Sequence, residues 1–290
     1  MKTLSGQVAL VSGAGRGIGR AIALKLASAG ARLVVNDLDQ EEAEAVRKEI
    51  EGLGGQAVVC DGDVTAADFG ERFVRVAIDN YAGLDIIINN AGYTWDSVIQ
   101  NMSDEQWYAI IDCHLTAPFR ILRAAQPVIK GLVRADQDEG KGHHRKVVNI
   151  SSITALSGQA GQVNYGAAKA GIIGLTKSLA KEWGRLKTNV NCVVFGLIET
   201  RLTATSSEAD ASIQVGQQRI SVGIHPDYLD KLQSGIPLGY AGSPEDAANA
   251  VYLLCLPESN YLVLRRLYGL GSRSGSRSVH KASNASRKAA

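Results

Sequence analysis

The stretch that decides the fold is QVALVSGAGRGIG, residues 7–19. Residues 7–12 form a short apolar run of the kind found in buried β-strands, and apolar residues at helical spacing follow from Ile18 to Gly30. Glycines in the turn between them let the backbone bend sharply and approach an anion closely. The N-terminus of the following helix offers free N–H groups and the positive end of its dipole. The sequence therefore predicts a strand, a phosphate-binding turn and a helix in succession.

The same alternation continues along the chain. A charged helical pattern occupies residues 39–52, and further short apolar runs occur at residues 32–36, 56–60, 85–89, 146–150 and 189–194. Short runs separated by helices are typical of βαβ units, and continuous runs such as Ile86-Ile87-Ile88 are typical of parallel strands buried on both faces. The expected fold class is α/β, a doubly wound Rossmann-type parallel sheet in a single domain of residues 1–270.

Two polar segments stand apart from this pattern. Residues 134–146, RADQDEGKGHHRK, are predicted to form a surface loop, in which His143 and His144 are either solvated or, less simply, metal ligands. Residues 271–290 are rich in serine and basic residues, and this low complexity predicts a disordered, solvated tail rather than a nucleic-acid contact.

Composition excludes several classes of protein. The formal net charge is only +2, which argues against a nucleic-acid partner. The four cysteines form no CxxC pair, so we expect buried thiols rather than a zinc site or a disulfide framework. The N-terminal apolar run is too short for a signal peptide, and no stretch approaches the roughly 18 apolar residues of a membrane span. We therefore expect a cytoplasmic protein with no membrane contact.

The spacing of the motifs resembles the short-chain dehydrogenase/reductase family. The glycine turn fits G-x-x-x-G-x-G at Gly13, Gly17 and Gly19, and Asn89-Asn90-Ala91-Gly92 follows the fourth strand. Tyr165 and Lys169, four residues apart at the start of a helical stretch, share one helix face, and Ser152 precedes them just after a strand. The resemblance covers roughly residues 5–260. It implies an NAD(P)-dependent oxidoreductase that transfers a hydride between the cofactor and a carbonyl or secondary alcohol.

The resemblance also implies the catalytic roles. Tyr165 is the acid/base, and Ser152 stabilises the substrate oxygen. The ordinary tyrosine pKa is about 10, so the Lys169 ammonium and an oxidised nicotinamide are expected to lower it by roughly three units. The asparagine that many members carry in a proton relay is replaced by His114. This imidazole either continues the relay and titrates near neutral pH, or only packs against the helix.

Cofactor contacts follow from the same motifs. They are Gly13, Arg16, Gly17, Ile18, Gly19, Asp37, Asp63, Val64, Asn90, Ala91, Gly92, Tyr165, Lys169, Ile198 and Thr200. Asp37 at the end of the second strand favours NAD(H), because a carboxylate binds the ribose hydroxyls and repels a 2′-phosphate. Arg16 favours the alternative, NADP(H), because a basic residue in the glycine turn of related members often contacts the 2′-phosphate. Asp37 could also act as the N-cap of the helix from residue 39.

The substrate is less well defined. The segment from Ile150 to Ala180 resembles 3-oxoacyl thioester reductases, whereas related members act on hydroxysteroids and polyols. Residues 201–235 take the place of the family's substrate-covering segment. Phe195 replaces a proline that is common in the family, which is expected to reshape the pocket next to the nicotinamide ring. The stretch from Tyr261 to Ser272 departs from the family's last strand, which puts the usual homo-oligomer in doubt. These departures motivate a competing hypothesis, a cofactor-binding sensor or partner subunit without catalysis.

Overall fold

The sheet is built from short strands that each follow a turn or helix. A computed structural model describes residues 2–140, 142–201, 203, 212–215, 218–221, 229, 232–263 and 266–268. Within them the strands are β1 Val8–Val11, β2 Arg32–Val35, β3 Gln56–Val59, β4 Ile86–Asn89, β5 Arg145–Ser152, β6 Thr188–Phe195, β7 Ser212–Val215, β8 Gln218–Ser221 and β9 Arg266–Tyr268.

Helices occupy most of the connections. They are α1 Gly17–Ser28, α2 Gln40–Gly52, α3 Phe69–Tyr81, α4 Asp104–Ile111, α5 Ala117–Asp138, α6 Thr154–Ser157, α7 Val163–Trp183 and α8 Pro244–Cys255. A π-helical turn, Asp112–Thr116, joins α4 to α5. Ser103 and Ser243 begin α4 and α8 with capping boxes, which satisfy backbone donors at both helix starts.

Seven strands form one parallel sheet in the order β3-β2-β1-β4-β5-β6-β9. The order reverses between β1 and β4, and in such sheets ligands bind beside the carboxyl ends of the strands at this point. β7 and β8 form a separate antiparallel pair. The predicted fold class, a doubly wound parallel α/β sheet, is confirmed.

Apolar layers cover both faces of the sheet. On one face, Ile22 and Leu26 of α1 pack with Val251 and Leu254 of α8. On the other face, α3, α5 and α7 contribute side chains such as Phe69, Phe73, Ile121, Ile129 and Trp183. All four cysteines are free and buried within these layers. The central strands β1 and β4 are buried along their whole length, and their sequences VALV and IIIN are correspondingly apolar.

One expectation about the chain connections was wrong. The predicted loop at residues 134–146 is helical as far as Asp138 and enters β5 at Arg145. Its polar composition reflects an exposed helix end rather than a loop. In the departing C-terminal stretch, Arg266–Tyr268 still pairs in parallel with β6, so a last strand is present. The predicted tail, residues 271–290, and much of 201–235 lie outside the described residues.

A polar cluster closes the amino end of the sheet. His143 Nε2 lies 2.8 Å from Asp85 Oδ1, and Arg145 forms an ion pair of 2.8 Å with Asp136. His144 Nδ1 lies 3.2 Å from Asn189 Oδ1. Both histidines are thus engaged by protein side chains, and the described residues contain no group of three or more His, Cys, Asp or Glu suited to a metal ion.

Lys146, next in the chain, is almost completely buried. Its Nζ donates to Asn260 Oδ1 at 2.7 Å and to Ser259 Oγ at 3.1 Å, which ties β5 to the segment after α8. Burial lowers the pKa of Lys146 to about 8.

Candidate active site

The glycine turn lies at the carboxyl end of β1. Gly13 and Gly17 have φ of +61° and +52°, in the left-handed region that favours glycine. A Cβ on Gly13 would lie 2.7 Å from the Cα of Ala91, and one on Gly19 would collide with the Gly13 carbonyl oxygen. Both positions therefore require glycine, because the turn and the end of β4 are in backbone contact.

Asn90 holds these two segments together. Its Nδ2 donates to the carbonyl oxygens of Ser12 and Gly13, both at 3.0 Å. The hydroxyl of Ser12 in turn accepts from the backbone N–H groups of Asn90 and Ala91 at 3.1 Å. The asparagine motif thus fixes the shape of the glycine turn. The neighbouring Asn89 acts within the sheet, where it donates to Asn149 Oδ1 at 2.7 Å.

Acidic side chains surround the far end of the turn. Asp37 accepts from the backbone N–H groups of Gly15 at 2.9 Å and Asp39 at 3.1 Å. The N-cap of α2 is Asp39 and not Asp37, since Asp39 accepts from the N–H of Glu41. Arg16 forms ion pairs with Asp39 at 2.9 Å and Glu42 at 2.8 Å. Its guanidinium is therefore held by carboxylates, and its pKa is raised, mainly by the hydrogen bond to Glu42.

The remaining predicted cofactor residues differ in burial and in their hydrogen-bond partners. Asp63 accepts from the N–H of Thr65 at 2.8 Å, and Val64 is buried in the core. Ile198 is also buried, against Gly242, and its carbonyl oxygen accepts from the Thr203 hydroxyl at 2.6 Å. Thr200 lies beside Gly17, because a Cβ on Gly17 would be 3.5 Å from the Thr200 Cγ2. The segment after β6 and the glycine turn therefore face each other at the carboxyl ends of the strands.

The three predicted catalytic residues converge at this edge. Ser152 ends β5, and Tyr165 lies in the first turn of α7 with its hydroxyl hydrogen-bonded to the Ser152 side chain. The Ser151 hydroxyl instead donates to the Lys169 carbonyl oxygen at 2.8 Å, so it is turned into the α7 backbone. The choice of Ser152 over Ser151 agrees with this geometry.

Lys169 lies one turn after Tyr165 on the same helix face. Its Nζ is 5.6 Å from the centre of the Tyr165 ring and donates to the Ile150 carbonyl oxygen at 2.9 Å. Burial lowers the pKa of Lys169 to about 8, whereas burial raises the pKa of Tyr165 to about 12. In the protein without a cofactor, burial dominates the pKa of Tyr165, and the ammonium lies over the ring rather than beside the hydroxyl. The lowering expected from Lys169 together with an oxidised nicotinamide stays a prediction.

His114 completes the cluster from the π-helical turn. Its ring meets the Tyr165 ring edge-on, with centroids 5.1 Å apart, and packs against Gly92, where a Cβ would collide with it. Nε2 lies 2.6 Å from the Tyr93 carbonyl oxygen, so this nitrogen carries the proton and Nδ1 is an acceptor. Nδ1 is buried without a hydrogen-bond partner among the described residues.

The surroundings of His114 disfavour titration near neutral pH, which was one of the two alternatives for this residue. Burial lowers its pKa well below the ordinary value, and the nearby Lys169 ammonium lowers it further. The neutral imidazole is therefore the form present at neutral pH.

Sequence reasoning missed how the loop after β4 is fixed to α7. Asn164, fully buried, donates from its amide to the carbonyl oxygens of Trp95 and Gln106, both at 3.1 Å. Gln162 Nε2 donates to Asp96 Oδ2 at 2.8 Å. The signal available was the position of both amides within three residues of Tyr165, but their partners are distant in sequence.

Comparisons with known proteins agree with this arrangement. A family model described as short chain dehydrogenase matches residues 7–211. The 3-oxoacyl-[acyl-carrier-protein] reductase FabG of Vibrio cholerae is 34% identical over 91% of this chain and 96% of its own length. The FabG of Aquifex aeolicus is 36% identical over 89% of this chain and 94% of its own.

A solved structure shows the same fold. A dehydrogenase/reductase from Sinorhizobium meliloti 1021 superimposes with a TM-score of 0.77 at 28% identity, covering 93% of this chain and 96% of that one. No helix among the described residues is long and apolar enough to cross a membrane. The chain belongs to the short-chain dehydrogenase/reductase family, and it is an NAD(P)-dependent oxidoreductase.

Proposed function

We propose that the chain reduces a 3-oxoacyl thioester at the expense of NADH, with Tyr165 as the proton donor. The observation that carries this proposal is the convergence of Ser152, Tyr165 and Lys169 at the carboxyl edge of the sheet, beside the glycine turn. The substrate class is taken from relatives named 3-oxoacyl-[acyl-carrier-protein] reductases, which match about nine-tenths of the chain.

Tyr165 is suited to the acid role. With a pKa near 12, its hydroxyl carries a proton at neutral pH and donates it to the oxygen of a carbonyl undergoing reduction. Ser152 accepts from the backbone N–H of Thr154 at 3.2 Å, which orients its hydroxyl for donation to the phenol or the substrate oxygen. The Tyr165 and Ser152 hydroxyls can therefore both donate to the substrate carbonyl oxygen, on which negative charge develops.

Lys169 and His114 act behind the tyrosine. The Lys169 ammonium stabilises the phenolate that remains after proton transfer, and its pKa near 8 lets it release and regain a proton near neutral pH. The free Nδ1 of neutral His114 is an acceptor in the same cluster. In our proposal it accepts a hydrogen bond from a water or from the ammonium, which keeps a path for protons toward Tyr165.

The cofactor site fits a dinucleotide. The glycine turn is a cradle that side chains would fill, and the first turn of α1 has no side-chain cap at Arg16 to occupy its N–H groups. Gly13, Gly17, Ile18 and Gly19 would hold the pyrophosphate, and the adenine side would meet Asp63 and Val64. The far side, next to the catalytic residues, would be formed by Asn90, Ala91, Gly92, Lys169, Ile198 and Thr200. A bound nicotinamide supplies the hydride.

We propose NAD(H) rather than NADP(H) as this dinucleotide. Asp37 is fixed by the Gly15 and Asp39 N–H groups at the position expected for the ribose hydroxyls. Arg16, the one feature that favours a 2′-phosphate, is already paired with Asp39 and Glu42. A phosphate there would meet three carboxylates against one guanidinium.

We also propose a homo-oligomer. Large apolar side chains are exposed on neighbouring helices, namely Tyr108 on α4, Phe119 on α5 and Val163 on α7. The departing C-terminal stretch, which put this assembly in doubt, still forms the edge strand β9 beside β6. Sedimentation of the wild type and a Phe119→Ser variant tests the assembly, which should weaken in the variant.

The experiment for the activity is the rate of NADH and NADPH oxidation with acetoacetyl-CoA, a ketosteroid and a keto sugar. Turnover fastest with acetoacetyl-CoA and NADH supports the proposal. Turnover only with the steroid or sugar would reassign the substrate class, and binding of NADH without turnover of any carbonyl would favour a cofactor-binding partner protein.

A further inference from the structure

The wall of the cleft next to Tyr165 carries an acid that the proposed mechanism does not use. Asp96 lies in the loop after β4, and its side chain is exposed at the open edge of the sheet. Gln162, three residues before Tyr165, donates to Asp96 Oδ2 at 2.8 Å, and the Thr94 side chain hydrogen-bonds the same carboxylate. Ser97 and Gln162 form a parallel β-bridge, with the Ser97 N–H donating to the Gly161 carbonyl oxygen at 2.8 Å.

These contacts fix Asp96 relative to the reacting groups. Gln162 is nearly buried, and its carbonyl oxygen accepts from the Thr154 hydroxyl at 3.4 Å. A carboxylate can only accept hydrogen bonds, so Asp96 orients the amide of Gln162 with its NH₂ group toward itself. Thr154 in turn donates from its backbone to Ser152. A chain of hydrogen bonds through Gln162 and Thr154 therefore links Asp96 to Ser152, the partner of Tyr165.

The charge of Asp96 acts on Tyr165. Together with burial and the Cys113 thiol, the Asp96 carboxylate raises the pKa of Tyr165, while the Ser152 hydrogen bond lowers it. The other ionisable groups that face Tyr165 are His114 in the π-helical turn, which is neutral, and Lys169 one turn along α7. A negative charge close enough to oppose the phenolate also opposes an anionic substrate whose carbonyl lies at the tyrosine hydroxyl.

We propose that Asp96 is a specificity-determining residue that disfavours substrates with a negative charge near the reacting carbonyl and favours uncharged 3-oxo esters and thioesters. This inference rests on the proposed carbonyl reduction at Tyr165. It deepens that function, because a thioester of a 3-oxo acid carries no charge next to its ketone, whereas the free acid does.

The test compares methyl acetoacetate with acetoacetate, which share a ketone and differ in charge. The wild type should give the larger kcat/KM with the ester. Asp96→Asn keeps an oxygen for Gln162 and removes the charge, so the ester-to-acid ratio should fall about fivefold, chiefly through faster turnover of acetoacetate. Added salt should narrow the ratio in the wild type and have less effect in the variant. Asp79→Asn, an exposed substitution on α3, is the matched control and should leave the ratio unchanged.

Two results would overturn the inference. One is an unchanged ratio in Asp96→Asn while turnover still depends on Tyr165, which leaves the proposed function intact. The other is an equal loss of rate with both substrates, which indicates a structural role only.

A readout without turnover covers the case in which neither substrate reacts and the proposed function itself fails. The tyrosinate absorbance of each protein is titrated with pH, and that of its Tyr165→Phe counterpart is subtracted. The midpoint should move to lower pH in Asp96→Asn, because the opposing charge is gone. An equal midpoint would show that Asp96 exerts no field at Tyr165 and would refute the proposal.

Discussion

Lys146 at the amino end of β5 and Lys169 beside its carboxyl end are both almost fully buried, and burial lowers the pKa of each to about 8. The Lys146 ammonium is bound by the side chains of Ser259 and Asn260, which belong to the segment after α8. Lys169 donates to one backbone oxygen and faces the Tyr165 ring in the cleft. A lowered lysine pKa therefore does not distinguish a structural lysine from a reacting one. The hydrogen-bond partners of the side chain make this distinction.

The histidines follow the same division. At the amino end, His143 and His144 are paired with Asp85 and Asn189. At the carboxyl end, His114 keeps a buried nitrogen without a partner among the described residues. The two histidines at the amino end are therefore paired with protein side chains, whereas His114 at the carboxyl end retains an acceptor for a ligand.

The largest effect should separate the two lysines. Lys169→Met should lower kcat by about 100-fold, since the ammonium beside the tyrosine is lost, while Lys146→Met should leave kcat within about twofold. Steady-state kinetics on both variants, with thermal unfolding to confirm folding, make the comparison. Equal losses of kcat would remove the distinction between the two ends of the sheet.

A second test concerns the cofactor at the carboxyl edge. Asp37→Ser should raise kcat/KM for NADPH relative to NADH by about tenfold, because one carboxylate near the 2′ position is removed. Arg16→Ala should change this ratio less, since Asp39 and Glu42 already hold the guanidinium. A larger change in Arg16→Ala than in Asp37→Ser would contradict the assignment of NAD(H).

At the amino end, Lys146 should make stability depend on pH. Its pKa is about 8 in the folded protein and about 10.4 in an unfolded chain, so between these values the unfolded chain binds the extra proton. Stability should therefore rise with pH in this window, by about 2 kcal/mol more in the wild type than in Lys146→Met. Urea unfolding at pH 7.5 and 10 measures the difference, and parallel changes in the two proteins would show that Lys146 titrates normally.

The smallest effect is expected at His114. Because its imidazole is neutral, His114→Asn should change kcat by about twofold and should remove no limb from the pH–rate profile near pH 6–7. Profiles of the two proteins recorded in the same buffers make the test. A limb in that range present in the wild type and absent in the variant would show that the histidine does titrate.

Local pattern was sufficient to predict strands β1 to β6, the glycine turn and the pairing of Tyr165 with Lys169, because each depends on residues close in sequence. The helical extension of α5 to Asp138 was missed, since a polar exposed helix end resembles a loop. The Asp96–Gln162 contact joins residues 66 positions apart and leaves no local pattern. The effect of burial on the pKa of Tyr165 could not be predicted from the motif, because burial depends on the whole cleft.

Tyr165→Phe compared with the wild type tests whether Tyr165 is the proton donor, with NADH binding followed by fluorescence and NADH oxidation followed with acetoacetyl-CoA. The substitution removes only the hydroxyl that is hydrogen-bonded to Ser152. The account predicts unchanged NADH affinity and a fall in turnover of at least about 1000-fold. Turnover that survives in Tyr165→Phe would contradict it, because the proton donor would then be another group.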